Sequence, residues 1–330
     1  MGRKGIGNDI CPDAYVLTAA KAQPPSREEF LKYLSQIKNR IRKSHGHELD
    51  NEDIRIYYSE KTLTGILCTR EIIKKDEIVA FEQNNRSLMR NVNFLKAVMI
   101  GILHGRSSFA LSLPMPHSFS MSPNYVKRKV TEDPKKFARP ERDVIECLVR
   151  KVANVYRDPI PEEFCAGEAY RSDTENFVLK ENVDLIITSP PYLDAHTYAW
   201  DNWIRLWFLG YDYREVRKSL LQTGSEERYL SRMRESLLSM YNLLKENSRC
   251  FVVVGDVKGH RPLANLLADM ITSANELDYV VHRIILDSVK PSRKYPYGDN
   301  NHRGISTDRI LELHKGRPPS THRGINWSFS

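Results

Sequence analysis

Apolar positions recur at helical spacing through the first half of the chain and change rhythm in the second. Phe30, Leu34, Ile37 and Ile41 fall on one helix face, opened by a Ser26/Glu29 capping box and closed by the basic run from Lys38 to Lys43, which reads as a solvated face. Leu88, Val92, Leu95, Met99 and Ile102 form a second stripe, and the stretch from Ile54 to about Gly105 shows no convincing strand alternation. Leu111 to Tyr125, with three prolines and four serines, is expected to be a loop, followed by a helix near Asp143 to Tyr156. Strands and helices then alternate: strand 183–188, helices 204–213 and 228–247, strand 250–255, helix 262–274, strands 279–286 and 309–314. Near the start, Gly5 to Ile10 reads as a short strand ending in an acid, followed by a helix carrying Ala14, Leu17 and Ala20 and closed by Pro24-Pro25. This order predicts an α/β fold with a sheet covered on both faces.

Composition narrows the class. With 330 residues, 41% of them hydrophobic, the chain can bury a real core. The longest apolar runs, such as Phe251 to Gly255, fall far short of the roughly 20 residues of a membrane span, and no apolar stretch follows the basic Met1-Gly-Arg-Lys start. Five scattered cysteines without a C-x-x-C pair exclude a zinc knuckle of neighbouring thiols and argue against a disulfide framework, so a cytoplasmic location is expected. His196 has no ligand set near it in sequence and reads as a loop histidine; no metal is expected. The net charge of +8 favours polyanions, and a stripe from Lys290 to Gly324, including Lys294 and Arg303, carries eight Lys/Arg against three acids.

The chemistry concentrates at Asn182-Val-Asp-Leu-Ile-Ile-Thr-Ser-Pro-Pro-Tyr192. A parallel strand, expected to be buried over Leu185 to Ile187, runs into a stiff polar-Pro-Pro-aromatic corner, and the carboxyl ends of such strands are where open α/β sheets place ligands. Prolines lack an N–H, so carbonyls here can face a cleft outside any ladder, while Tyr192 offers a flat ring. One acceptor side chain, one carbonyl and one ring suit a planar heterocycle with an exocyclic amino group.

On these residues the chain resembles the amino-group DNA methyltransferases, whose hallmark is (D/N/S)-P-P-(Y/F/W) after such a strand. The resemblance implies a Rossmann-like S-adenosylmethionine-dependent sheet with a mostly helical insertion. It further implies that Ser189 and the Pro190 carbonyl accept from the target amino group, that Pro191 stiffens the corner, and that Tyr192 stacks on a flipped base. The methyl donor would be S-adenosyl-L-methionine, with double-stranded DNA as partner. Asp9 and Ile10 resemble the family's strand-end ribose site, Glu168 and Ala169 occupy the place of its Gly-Asp-Ala turn with Glu for Asp, and Thr188 borders the same pocket. Tyr198 and Trp203 resemble the helix after the corner and join Lys294 and Arg303 as candidate DNA contacts, whereas Trp207 and Phe208 are expected in the core. Cytosine N4 is the preferred target because the corner carries Ser; adenine N6 is the alternative.

One departure stands out. The family's Gly-rich cofactor loop should precede the Asp9 strand by some residues, yet nothing precedes Met1, and Gly101, Gly105, Gly255 and Gly259 are isolated. The expectation is a sheet incomplete at its N-terminus. Residues 1–24 would be a remnant of the cofactor half, 25–150 a helical target-recognition insertion and 151–330 the catalytic half. Either a second chain carries the missing loop, or the sequence is a truncated or mis-started product. The competing reading is a non-catalytic DNA-binding subunit or remnant of a split methyltransferase.

Overall fold

The structure, a computed structural model, describes residues 2–43, 49–105, 107–115, 119–193, 198–255, 263–288 and 307–316. The chain forms two compact units, one of Met1–Arg171 with Thr197–Leu220 and the other of Ser172–His196 with Leu221–Ser330. Both units together are a mixed α/β protein. Among the described residues no helix is long and apolar enough to cross a membrane.

In the first unit, β1 (Ile6–Asn8) pairs in parallel with β2 (Glu168–Tyr170), setting Gly7 opposite Ala169. The Gly167–Ala169 segment, expected as a turn, thus enters a strand. Only three residues pair, too few for alternation to show in sequence. The approach is close: a Cβ on Gly167 would sit 2.2 Å from the Gly5 carbonyl oxygen, and the Gly167 N–H donates to the Ala22 carbonyl at 2.8 Å. Helix α1 (Pro12–Ala22) follows β1, with Pro12 in its first turn where the missing N–H is harmless.

Helices dominate the rest of this unit: α2 (Arg27–Lys43), α3 (Glu60–Glu82), α4 (Arg86–Ile100), α5 (Pro123–Glu132) and α6 (Val144–Val155). Their starts follow the caps. Ser26 accepts from the Glu29 N–H at 3.1 Å, Asn85 from Leu88 at 3.0 Å and Asp143 from Glu146 at 3.0 Å. The loop expected over Leu111 to Tyr125 stops early because Ser122 accepts from the Tyr125 N–H at 3.2 Å and Pro123 opens α5. Both predicted stripes face one core, in which Phe30, Leu34, Ile37, Val92, Leu95 and Met99 meet Leu148, and Phe30 and Phe94 meet edge to face at 4.6 Å. The helix expected over 204–213 is two, α8 (Trp203–Phe208) and α9 (Tyr213–Ser219), after the single turn α7 (Tyr198–Asp201). Gly210, at φ 87°, and Asp212, which caps α9 at the Arg214 N–H, break it.

The second unit is a four-stranded sheet in the order β3 (Val183–Thr188), β4 (Leu244–Gly255), β6 (Thr307–Lys315), β5 (Tyr279–Ser288). β3 runs parallel to β4, and β6 is antiparallel to both its neighbours. Helices α10 (Glu226–Leu243) and α11 (Leu263–Glu276) pack on the face bearing Ile186, Cys250, Val252, Leu311 and Leu313, through Tyr229, Met233, Leu237 and Met270. Two expectations change here. Helix 228–247 ends at Leu243, and β4 begins at once, with Asn247 at φ 62° and a register shift against β3 absorbing the join. The strand expected to be buried is half open: Leu185 is 39% and Ile187 71% exposed, because they point to the face opposite α10 and α11. Within this unit the described helices cover one face rather than both.

The Gly167 approach gives a direct test. Gly167→Ala forces a Cβ into a carbonyl oxygen that belongs to the backbone, so stability to urea should fall by about 1–3 kcal/mol. An unchanged urea midpoint would refute the close pairing of the chain at Gly5.

Candidate active site

Residues named from sequence fall in both units, and each group is built differently. In the second unit Thr188 closes β3 opposite Val252, and the chain leaves the sheet into Ser189-Pro-Pro-Tyr192. The prolines cannot donate to a ladder, so the strand ends where the corner begins. Leu193, 3% exposed, returns at once into the core with Tyr229 and Met233. The corner is therefore held at both ends, by a ladder before and an apolar anchor after. Ser189 is exposed, while Pro190, Pro191 and Tyr192 are half-buried. An exposed hydroxyl, a proline carbonyl and a partly open ring within four residues can grip the edge and face of a planar amine.

In the first unit Asp9 and Ile10 follow the end of β1, while Glu168 and Ala169 lie in β2 opposite Ile6 and Gly7. Asp9 follows the carboxyl end of β1, its N–H donating to the Tyr170 carbonyl at 3.3 Å and its Oδ1 accepting from the Cys11 N–H at 2.8 Å. Although Asp9 is open on one side, surrounding protein desolvates its carboxyl and pushes its pKa up; the Cys11 N–H opposes this and the charge of Asp13 adds to it. The Cys11 thiol, hydrogen-bonded to Asp13 at 2.9 Å, is driven upward by burial and by that carboxylate, which disfavours the thiolate. Glu168 is engaged by Lys4 and by the Tyr170 hydroxyl. A strand-end carboxylate beside glycine-lined backbone suits a sugar with vicinal hydroxyls.

Tyr198 is exposed at the start of α7. Trp203 is 3% exposed, gives its indole N–H to the Met121 carbonyl at 3.2 Å and meets Tyr57 edge to face, which makes it chiefly a packing residue. Trp207 and Phe208 are in the core as expected. Lys294, Arg303 and His196 lie outside the described residues.

Sequence reading missed a buried polar cluster on the second unit's sheet. His282, Glu312 and His314 bring ligand-type atoms within 4.8 Å of one another. Glu312 Oε2 accepts from Arg283 Nε at 2.6 Å, and Oε1 lies 3.1 Å from His314 Nε2 and 3.7 Å from Arg249. Two guanidinium groups already neutralise this carboxylate and would repel an added cation, so the cluster explains itself as a buried ion-pair network. Only the strand register, with Glu312 opposite Arg283, reveals it.

No protein-family model matches the chain, and no curated protein matches it. Among solved structures it is similar to a candidate DNA modification methylase from Thermus thermophilus, at 20% identity and a TM-score of 0.28, over 47% of this chain and 55% of that one. The chain thus matches about half the length of that protein. It is also similar to a candidate methyltransferase from Thermoplasma acidophilum, at 9% identity and TM-score 0.27 over 52% and 54% of the two chains. A candidate class I S-adenosylmethionine-dependent methyltransferase from Listeria monocytogenes aligns over 91% of both chains at 12% identity and TM-score 0.30. Superpositions this loose transfer no residue roles.

The Glu312 network sets a pH test. Burial alone would raise this carboxyl, but the hydrogen bonds from Arg283 and His314 and the charges of Arg283 and His282 hold it below the ordinary glutamate range. A depressed carboxyl stabilises the fold above its unfolded value and loses that contribution as pH falls through the folded one. Glu312→Gln should cost about 3 kcal/mol near neutral pH, and the gap from wild type should close below pH about 4. Equal unfolding midpoints at pH about 7 would show that the network contributes nothing.

Proposed function

We propose that this chain is a DNA methyltransferase, or the catalytic subunit of one, acting with S-adenosyl-L-methionine on the exocyclic amino group of a flipped base, with cytosine N4 as the preferred target. The observation that carries this reading is Thr188-Ser-Pro-Pro-Tyr192 at the carboxyl end of a parallel strand. Ser189 Oγ and the Pro190 carbonyl accept the two amino hydrogens and turn the nitrogen lone pair outward; Tyr192 stacks on the ring. The target must leave the duplex, since the amino group is inaccessible in the stack. The preference for cytosine N4 rests on Ser189 standing at the first position of the corner rather than Asp.

S-adenosylmethionine, when bound, supplies an electrophilic methyl group. Asp9 would accept its ribose hydroxyls, Glu168 and Ala169 would border its adenine, and Ile10 and Thr188 are further proposed cofactor contacts. The fit is supported by the place of the Asp9 carboxyl, which follows the carboxyl end of β1 and is held there by the Cys11 N–H. Tyr198, Lys294 and Arg303 are the proposed DNA contacts, and a cytoplasmic setting goes with that partner.

The cofactor half needs more backbone than these residues offer. Among the described residues β3 pairs only with β4 and β1 only with β2, and Ile187 is bare beside the open edge of β3. A second chain bearing a Gly-rich loop and its strand would cover such an edge, which is otherwise open to aberrant pairing.

Three measurements test the reading. Tyr192→Ala should lower methyl transfer to DNA roughly tenfold or more, the worth of one stacking face, while S-adenosylmethionine affinity stays unchanged; wild-type turnover would sink the assignment. Product analysis should show N4-methylcytosine, and N6-methyladenine alone would overturn the cytosine preference. The chain by itself should bind S-adenosylmethionine weakly by calorimetry and transfer no tritiated methyl until the loop-bearing partner is added. Full activity of the single chain would end the two-chain account.

A further inference from the structure

The first unit holds a cavity that neither the corner nor the Asp9 strand uses. It measures about 460 Å³, within the usual range of small-molecule sites, and is walled by the half-buried Trp200 and Tyr213 and the exposed Tyr211, with the buried Trp203 and Trp207 packed behind them. Trp200 and Trp203 lie nearly parallel, 21° apart with centroids at 6.4 Å, and Tyr213 meets Trp200 edge-on at 4.9 Å. Gly210, at φ 87°, turns the chain so that Tyr211 and Tyr213 follow Trp207 into the same wall.

The polar groups decide what such walls can take. Three carboxylates reach the cavity, and each faces a cation: Asp50 meets Arg70 at 2.8 Å, Asp53 meets Lys127 at 3.2 Å and Asp212 meets Arg214 at 3.6 Å. Asp50 also accepts the Trp207 indole N–H at 2.7 Å, and Arg70 lies over the Trp207 ring at 5.0 Å. Aromatic walls with an unbalanced acid select ammonium guests. Here the acids are balanced, so a cation gains little, and an anion deep in the cavity gains no more. Asn124 supplies an amide able to read donors and acceptors on the edge of a ring, while Asn51, whose Oδ1 accepts from the Asp53 N–H at 3.0 Å, offers its amide N–H groups.

The flank adds a further constraint. Asn124 opens α5, whose next turn carries Lys127, Arg128 and Lys129; Lys127 is already balanced by Asp53, and Arg128 and Lys129 share Glu132, so this turn keeps one positive charge in excess, with Arg128 over the Tyr125 ring at 5.2 Å. Aromatic stacking surfaces beside a basic track are the design of single-stranded nucleic acid sites. The geometry points to this cavity as a second nucleobase site, which takes one unstacked base of single-stranded DNA between its indole and phenol walls while α5 follows the phosphates. It needs no methyl transfer, and its residues are separate from Ser189 to Tyr192.

The test is a titration of the full chain with a short single-stranded oligodeoxynucleotide carrying one 2-aminopurine, read by anisotropy and by quenching of the base. Wild type should bind with quenched emission. Trp200→Ala should weaken binding roughly tenfold, and Asn124→Ala, an exposed change that leaves the core intact, about fivefold. Phe81→Ala, a change at an exposed ring that does not line the cavity, should retain the affinity and the quenching. The proposal fails if wild type neither binds nor quenches, if Asn124→Ala and Trp200→Ala both bind as wild type, or if tetramethylammonium displaces the oligonucleotide. It also fails if Tyr192→Ala alone abolishes quenching, which would put the base at the corner and leave the methyltransferase reading standing.

Discussion

Everything proposed for the chemistry hangs on the parallel pairing of β3 with β4. Thr188 is fixed opposite Val252, and with it the direction in which the next four residues leave the sheet. Two prolines then remove the hydrogen bonds that would extend the ladder, and Leu193 sinks into the core within five residues of Thr188. A segment this short, pinned at both ends, has little freedom left to lose when a ligand arrives. The main conformational cost of positioning acceptors and a ring is met by folding rather than by binding.

Electrostatics divides the protein differently from its cores. Glu312, buried on the sheet face away from α10 and α11, is satisfied by arginine and histidine from its own sheet. Asp76, buried in the helical unit, accepts from the Tyr33 hydroxyl at 2.8 Å and from Arg40 at 2.7 Å. Both are carboxylates made tolerable by an arginine distant in sequence, Arg283 for Glu312 and Arg40 for Asp76. The net charge of +8 accordingly leaves its excess on the surface, where long-range attraction to a polyanion operates.

How much could be read in advance followed from how local each signal is. The stripe of Leu88, Val92, Leu95 and Met99 and the Ser26 cap were legible because one helix face and one cap need only neighbours in the chain. Ser189 to Tyr192 stood out for the same reason, proline chemistry being local. The start of β4 was not legible: Leu244-Lys-Glu-Asn continues a helical pattern, and only pairing with Val183 makes it a strand. The openness of Ile187 was hidden too, since an apolar run reads alike whether one or both faces are covered. The Arg283–Glu312 pair and the cavity joining Asp50, Arg70, Asn124 and Trp200 come from segments that meet only in the folded chain.

The chain passes from one unit to the other after Arg171, after His196 and after Leu220. No single scission can release either unit as a continuous polypeptide. β3 must wait for β4, some sixty residues downstream, before its ladder closes, and the tryptophan-bearing helices are translated in between. Such an interleaved chain order raises the sequence separation of its contacts and slows folding. It also ties the fate of the corner to that of the helical unit: damage that unfolds one pulls on both ends of the segment linking it to the other. Removing either unit as one continuous segment would take residues of the other with it.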